Sequence, residues 1–238
     1  MTRIGILGSK GRMGQAIAGA LGDTTVLAGG VDDGDDAAAL AEASDVLVDF
    51  STPAALSAHL TAARLHRTPI LIGTTALDAS HHAMIDDAAR DIAVLQAANT
   101  SLGINLLKAL VEQASARLGP DWDIEVLEMH HRGKADAPSG TALLLAAAAA
   151  KGRGKSLPEL SRFDRDGLRD EGSIGFASLR GGSVAGDHMV ILATEGERIE
   201  LGHRAENRLI FARGAVKAAL WLADKPARRY AMADVLGL

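Results

Sequence analysis

The run Thr2-Arg3-Ile4-Gly5-Ile6-Leu7-Gly8-Ser9-Lys10-Gly11-Arg12-Met13-Gly14 decides the fold. Thr2 to Leu7 is a short apolar stretch of the kind a buried parallel strand requires. A glycine turn follows, and then an apolar-periodic helix from Gln15 to Leu21. Strand, glycine turn and helix in that order form the context of a dinucleotide-binding fingerprint. The spacing here is G-x-x-G-x-x-G rather than G-x-G-x-x-G. Gly8 permits the tight turn, Gly11 lets backbone approach a pyrophosphate, and Gly14 lets helix and strand pack closely. An ordinary glycine-rich βα turn shares these features, so the second strand matters. It runs from Thr25 to Val31 and ends at Asp32, where a carboxylate can accept a hydrogen bond from an adenosine ribose. Asp33 comes next, with no arginine there to receive a 2′-phosphate, which favours NADH over NADPH. Lys10 and Arg12 in the glycine loop can still reach such a phosphate.

Further strands with polar residues at their ends continue the pattern. Val46 to Phe50 leads into Ser51-Thr52-Pro53 and a helix through Ala63. Pro69 to Ile72 leads into Gly73-Thr74-Thr75, and Ile92 to Leu95 into Gln96-Ala97-Ala98-Asn99-Thr100. In an open α/β sheet, ligands bind at the carboxyl ends of strands. Each of these segments also reads as a plain βα loop with a helix cap. Alternation of strand and helix over the first hundred residues or so predicts a Rossmann-like, doubly wound parallel sheet.

After Asn99-Thr100-Ser101 comes a helix, Ile104 to Leu118, stopped by Gly119-Pro120. Asp123 to Met129 reads as a strand and a further helix starts at Thr141. The charged stretch from Lys151 to Glu171 reads as a loop, the least ordered part of the chain. Ile174 to Arg180, Met189 to Thr194 and Arg198 to His203 read as strands joined by glycine turns. The second half is therefore expected to be an α+β domain on a mixed, largely antiparallel sheet. A helix from Leu209 to Leu222 and a short tail close the chain.

Composition excludes several classes. A net charge of −5 gives no general signal for nucleic acid or an anionic membrane. No apolar run approaches the ~20 residues that span a bilayer, and with a strand expected from Thr2 no leader is expected ahead of it. Without cysteine there is no disulfide framework, thiol nucleophile or thiolate metal site. The expectation is a soluble, cytoplasmic protein. With aromatics at only 3% of residues, helix packing must rely on close approach of small side chains.

The chemistry concentrates in Glu128-Met129-His130-His131-Arg132-Gly133-Lys134-Ala135-Asp136-Ala137-Pro138-Ser139-Gly140-Thr141-Ala142. A cationic cluster precedes a helix start whose free N–H groups attract anions. The histidines and Lys134 supply protons. The segment reads as a pocket for a small, multiply anionic substrate that is protonated during reaction; a solvated basic loop capping a helix is the plainer alternative.

This segment resembles the signature of the dihydrodipicolinate reductase family. Gly8 to Gly14, Gly73-Thr74-Thr75 and Ala97-Ala98-Asn99 resemble that family's cofactor segments. Arg180-Gly181-Gly182, Gly186-Asp187-His188 and Glu200-Leu201-x-His203-Arg204-Ala205 resemble its C-terminal strands. The resemblance implies hydride transfer from NAD(P)H to a cyclic dicarboxylate, giving tetrahydrodipicolinate in diaminopimelate and lysine biosynthesis. It implies a homotetramer assembled through the sheets of the C-terminal domains. Residues 1–101, completed by 206–238, would form the dinucleotide-binding domain, and 102–205 the substrate-binding and oligomerisation domain. It also implies His130 as general acid/base and Lys134 as proton donor. His131, Gly140 and Thr141 would bind the substrate carboxylates. Gly8, Ser9, Lys10, Gly11, Arg12, Met13 and Asp32 would bind the cofactor from the glycine-loop side. Gly73, Thr74, Thr75, Ala97, Ala98, Asn99 and Thr100 would bind it from the neighbouring strand ends.

Two departures from the family pattern stand out. Gly133 stands where some family members carry another basic residue, and the segment between Asp32 and Asp45 is short enough to suggest a trimmed crossover. A metal site on His130, His131, His188 and His203 is not expected, since adjacent histidines rarely point at one ion and no carboxylate pair completes the set. His188 and His203 read as structural or interface residues in strands, and Arg180 as either structural or part of the substrate pocket. His59, His66, His81 and His82 read as helix-surface residues without a role. Two rivals remain: another small-molecule NAD(P)-dependent dehydrogenase, and a non-catalytic dinucleotide sensor that would need neither His130 nor Lys134.

Overall fold

Strand β1 (Thr2–Leu7) buries Ile4 to Leu7 completely, which is possible only where helices cover both faces of the sheet. A computed structural model describes all of residues 1–238 and divides the chain into two compact units. The first comprises Met1–Leu102 and Leu209–Leu238, the second Gly103–Arg208.

The first unit holds a six-stranded sheet of β1, β2 (Thr25–Val31), β3 (Val46–Asp49), β4 (Ile70–Ile72), β5 (Ala93–Gln96) and β11 (Arg228–Tyr230). Its order is β11-β5-β4-β3-β1-β2 and every pairing is parallel. The strand order reverses at β1, with β2 on one side and β3 on the other, the switch point at which such sheets bind ligands. Side-chain alternation sorts the core. Ile4, Ile6, Val46, Val48, Leu71 and Leu95 face α1 (Arg12–Gly19) and α8 (Leu209–Leu222). Leu7, Leu47, Ile70, Ile72 and Val94 face α2 (Ala37–Ala43), α3 (Leu56–Leu65) and α4 (Ala79–Ala88). On α8 the buried positions are mostly Ala and Gly, as the low aromatic content requires. A Cβ on Gly214 would stand 1.9 Å from the Thr100 carbonyl oxygen, so the helix can lie this close only with glycine there.

Three expectations are corrected here. The crossover after Asp32 is short but intact: α2 forms because Asp36 caps it, its carboxylate accepting from the N–H groups of Ala38 and Ala39. The helix expected from Gln15 to Leu21 instead runs from Arg12 to Gly19, so the last residues of the glycine loop form its first turn. The tail is not featureless. Arg228–Tyr230 adds β11 to the sheet edge and Met232–Leu236 forms α9, with Tyr230 and Met232 buried.

The second unit packs α5 (Leu102–Arg117, here from Gly103 on) and α6 (Gly140–Gly152) on one face of a five-stranded sheet. The strands are β6 (Asp123–His130), β7 (Ser161–Arg162), β8 (Ile174–Arg180), β9 (Asp187–Thr194) and β10 (Glu197–Arg204), in the order β10-β9-β6-β8-β7. The pairings β10-β9 and β9-β6 are antiparallel, while β6-β8 and β8-β7 are parallel. The stretch expected to be a loop from Lys151 to Glu171 is partly ordered. Helix α6 continues to Gly152, and α7 (Leu157–Leu160) is fixed by Glu159, whose carboxylate accepts from the Ser156 N–H at 2.8 Å. Residues Ser161 and Arg162 then pair with Ile174 and Gly175.

Candidate functional site

In β6 the residues Ile124, Val126, Glu128 and His130 are buried and alternate with half-buried neighbours. The strand therefore carries a carboxylate and an imidazole on its apolar face, and both must be paired. Glu128 Oε2 lies 2.5 Å from His130 Nδ1. Arg180, opposite His130 in the β6-β8 register, forks onto the carboxylate with Nη1 at 2.9 Å from Oε2 and Nη2 at 2.8 Å from Oε1. The Ser139 N–H donates to Oε1 at 3.3 Å. Burial pushes the Glu128 carboxyl up, but hydrogen bonds from Arg180, His130 and Ser178, with the Arg180 charge, outweigh it and hold it at about 2.

The loop after β6 is tied to the same cluster. Arg180 also donates to the carbonyl oxygens of Lys134 (3.3 Å) and Asp136 (2.6 Å). The Lys134 ammonium, mostly shielded from solvent, pairs with Asp136 at 2.8 Å. His131 faces outward, its Nε2 at 3.1 Å from Arg208 Nη2. Ser139 caps α6 by accepting from the Ala142 N–H at 3.2 Å. Around Gly140 a side chain would meet nothing within 4 Å, so the α6 start is open on that side. His188 completes the cluster from β9: its Nε2 lies 3.0 Å from Ser139 Oγ, and its ring stands edge-on to His130 at 5.1 Å. Within this unit His130, His131, Lys134, Gly140 and Thr141 therefore surround one strand end and one helix start. Glu128 and Arg180 bind them together. Arg180 is the structural anchor of the cluster, and Glu128 is the residue that sequence reading missed. Its signal was available, because a carboxylate two residues before His130 on an apolar strand face needs a partner.

In the first unit, Gly8 adopts φ +83, a conformation glycine takes without strain. Gly11 precedes α1 as its N-cap with no side-chain hydrogen bond, and the first turn holds no acidic residue. An uncapped helix start behind a glycine turn suits the diphosphate of a dinucleotide. Asp32 accepts from Ser9 Oγ at 2.7 Å and from the Lys10 N–H at 3.1 Å. The Ser9 hydrogen bond leads in holding its carboxyl below the usual range, against the opposing effect of burial. A cleft of about 810 Å³ runs past Gly8, Gly11, Asp32, Asp33, Phe50, Ser51, Thr52 and His59. Gly73, Thr74 and Thr75 follow β4, and Ala97 to Thr100 follow β5, at the same carboxyl edge. Met13 turns its side chain into the core, and Thr100 Oγ1 donates to the Phe211 carbonyl at 2.7 Å.

The histidines read as helix surface divide. His59 is largely buried, its Nδ1 2.8 Å from Oδ2 of the fully buried Asp49. Asp49 also accepts from Ser51 Oγ (2.5 Å) and Thr74 Oγ1 (3.2 Å), so the cleft floor is a closed polar cluster. His81 belongs to the capping box of α4, and His82 Nδ1 lies 3.0 Å from Arg229. His66 ends α3.

Comparison with known proteins identifies these two halves. The sequence model of the dihydrodipicolinate reductase N-terminus matches residues 2–100, and that of the C-terminus matches residues 103–236. The chain belongs to the dihydrodipicolinate reductase family. A 4-hydroxy-tetrahydrodipicolinate reductase from Zymomonas mobilis is 59% identical, over 99% of this chain and 97% of that protein. Another from Acidiphilium cryptum is 50% identical, over 99% and 98%. Among solved structures, the dipicolinate-bound dihydrodipicolinate reductase from Paenisporosarcina sp. TG-14 matches with a TM-score of 0.77. It is 23% identical, and 97% of each chain is covered. The resemblance read from His130 to Thr141 thus extends over the whole chain, which is an oxidoreductase with the Rossmann-type dehydrogenase fold. That fold implies NAD(P)H binding. No helix is long and apolar enough to cross a membrane.

Proposed function

We propose that this member of the dihydrodipicolinate reductase family reduces 4-hydroxy-tetrahydrodipicolinate to tetrahydrodipicolinate with NAD(P)H, within diaminopimelate and lysine biosynthesis. In the net reaction one hydride and one proton enter and one water leaves. The observation that carries the reading is the cluster at the end of β6, where His130 and Lys134 stand beside an open helix start.

The bound nucleotide supplies the hydride. His130 and Lys134 handle the proton that must follow it, since hydride addition to a conjugated ring leaves electron density that a nearby acid quenches. The Lys134 ammonium also offsets the substrate's negative charge. Gly140 and Thr141 offer N–H groups at the start of α6, and His131 a ring nitrogen, to the two carboxylates. Gly133 removes one cation from this set without touching His130 or Lys134. The glycine loop from Gly8 to Met13, Asp32, the Gly73–Thr75 segment and the Ala97–Thr100 segment hold the nucleotide. Asp32 followed by Asp33 favours NADH, because two carboxylates at that strand end repel a 2′-phosphate.

The domain division assigns the nucleotide role to 1–101 with 206–238 and the substrate and assembly roles to 102–205; the two compact units lie within a few residues of it. Assembly is proposed as a cytoplasmic homotetramer. Support comes from the sheet face opposite α5 and α6, where Leu127, Met129, Leu179 and Met189 line a shallow cavity of about 380 Å³.

The test follows NADH and NADPH oxidation while substrate is generated in place from pyruvate and aspartate semialdehyde by the preceding synthase. Oxidation that depends on the synthase supports the reading and ranks the cofactors. Intact NADH binding without oxidation would move the chain to another substrate or to a sensor.

A further inference from the structure

Oε2 of Glu128 is shared between Arg180 and His130, and that sharing has consequences for the imidazole. An ionised carboxylate only accepts hydrogen bonds, so the proton of the Glu128–His130 contact resides on Nδ1. With Nδ1 occupied, Nε2 is the ring atom left for chemistry. It points toward Gly186, where a Cβ would stand 3.0 Å away. Glu128 cannot rotate away from His130, because the Arg180 fork and the Ser139 N–H hold both of its oxygens. Arg180 in turn is fixed by the carbonyl oxygens of Lys134 and Asp136. The arrangement repeats the logic of a catalytic triad, in which a buried carboxylate fixes the tautomer and orientation of a histidine without itself exchanging a proton.

We infer that Glu128 is a positioning residue for the reaction: anchored by Arg180, it holds His130 in the Nδ1–H tautomer with Nε2 presented as the proton-handling atom. The inference rests on the reading of His130 given above and adds a residue that acts only through it.

Glu128→Gln keeps the shape and removes the charge. The amide oxygen then faces the Arg180 donors, the amide NH2 faces His130 Nδ1, and the neutral ring is driven to the Nε2–H tautomer. The equivalent change in a serine-protease triad costs about 10⁴-fold in turnover through the wrong tautomer. For Glu128→Gln a kcat loss on the order of 10²- to 10⁴-fold is expected on that precedent, with the NADH Kd unchanged and the substrate KM moving far less than kcat. Nitrogen-15 NMR of the histidine rings should report a switch from Nδ1–H to Nε2–H at His130. In a His130→Ala background, Glu128→Gln should cause no further loss.

A folded Glu128→Gln protein that keeps the Nδ1–H tautomer and a near-normal kcat overturns the inference. So does an undiminished additional loss in the His130→Ala background. Normal turnover by His130→Ala alone would instead sink the role given to His130 and, with it, any part Glu128 plays in the reaction, whatever tautomer the ring holds. Should the unpaired Arg180 charge prevent Glu128→Gln from folding, Glu128→Gln/Arg180→Gln removes both charges and carries the same tautomer prediction.

Discussion

His188 presents its ring to the ring of His130 at 75°, with centroids 5.1 Å apart, and no acceptor or donor meets its buried Nδ1. Burial is the main reason its imidazole is pushed down to about 4 from the ordinary 6.5, and the neighbouring His130 adds to the effect. Between those values the unfolded chain binds a proton at this site and the folded chain does not, so stability rises with pH across the window. It is complete above 6.5 and falls as the pH drops toward 4, by an amount on the order of 3 kcal/mol. Thermal unfolding at pH 7 and pH 5 should show the lower midpoint at pH 5. His188→Leu should reduce that difference; an equally steep fall in the variant would assign the loss to other groups.

The proton-handling residues make a separate prediction. His130→Ala and Lys134→Ala should each lower kcat by at least ~100-fold, the scale of lost general acid–base catalysis. NADH affinity should stay near wild type, since the glycine loop belongs to the other unit. Steady-state kinetics beside a nucleotide titration separates the two. Normal turnover in either variant rules out that residue's role.

Gly14 tests the nucleotide loop. A Cβ at this position would lie 2.3 Å from the Gly8 carbonyl oxygen and 2.7 Å from Ser9 Cα, both backbone atoms that cannot swing aside. Gly14→Ala should cost about 1–3 kcal/mol, the usual range for overpacking, and weaken NADH binding at least tenfold by displacing the turn. Denaturant unfolding and calorimetric titration measure the two effects. Wild-type values in both would mean that the loop relaxes freely.

Cofactor preference turns on the end of β2. Asp33 is exposed and borders the cleft, whereas Asp32 is engaged by Ser9 and Lys10. Asp33→Arg should shift the kcat/KM ratio toward NADPH. An unchanged ratio would mean that Lys10 or Arg12 already governs the 2′ position.

Much of the fold was legible because it rests on short-range rules. The strand–glycine–helix opening, the apolar runs at Val46 and Ile70, and the alternation in β6 follow from period and turn chemistry alone. Short or charged elements were not legible. Arg228–Tyr230 carries two arginines in three residues and becomes a strand only because β5 offers an edge to pair with. Residues 151–171 read as loop because the signals for α7 and β7 are weaker than the polar composition around them.

The candidate site divides along the same line. The sequence by itself determined that His130, Lys134, Gly140 and Thr141 fall together, because they lie on one strand end, one turn and one helix start. It also determined that the glycine loop precedes a helix and that a carboxylate ends β2. Only the tertiary structure decided who stands behind them. Arg180 meets Glu128 through the β6-β8 register, His188 reaches Ser139 from β9, and Asp49 closes on His59 from a strand to a helix. The first two contacts depend on register and packing between elements distant in sequence, and one step of register would turn each strand side chain to the opposite face.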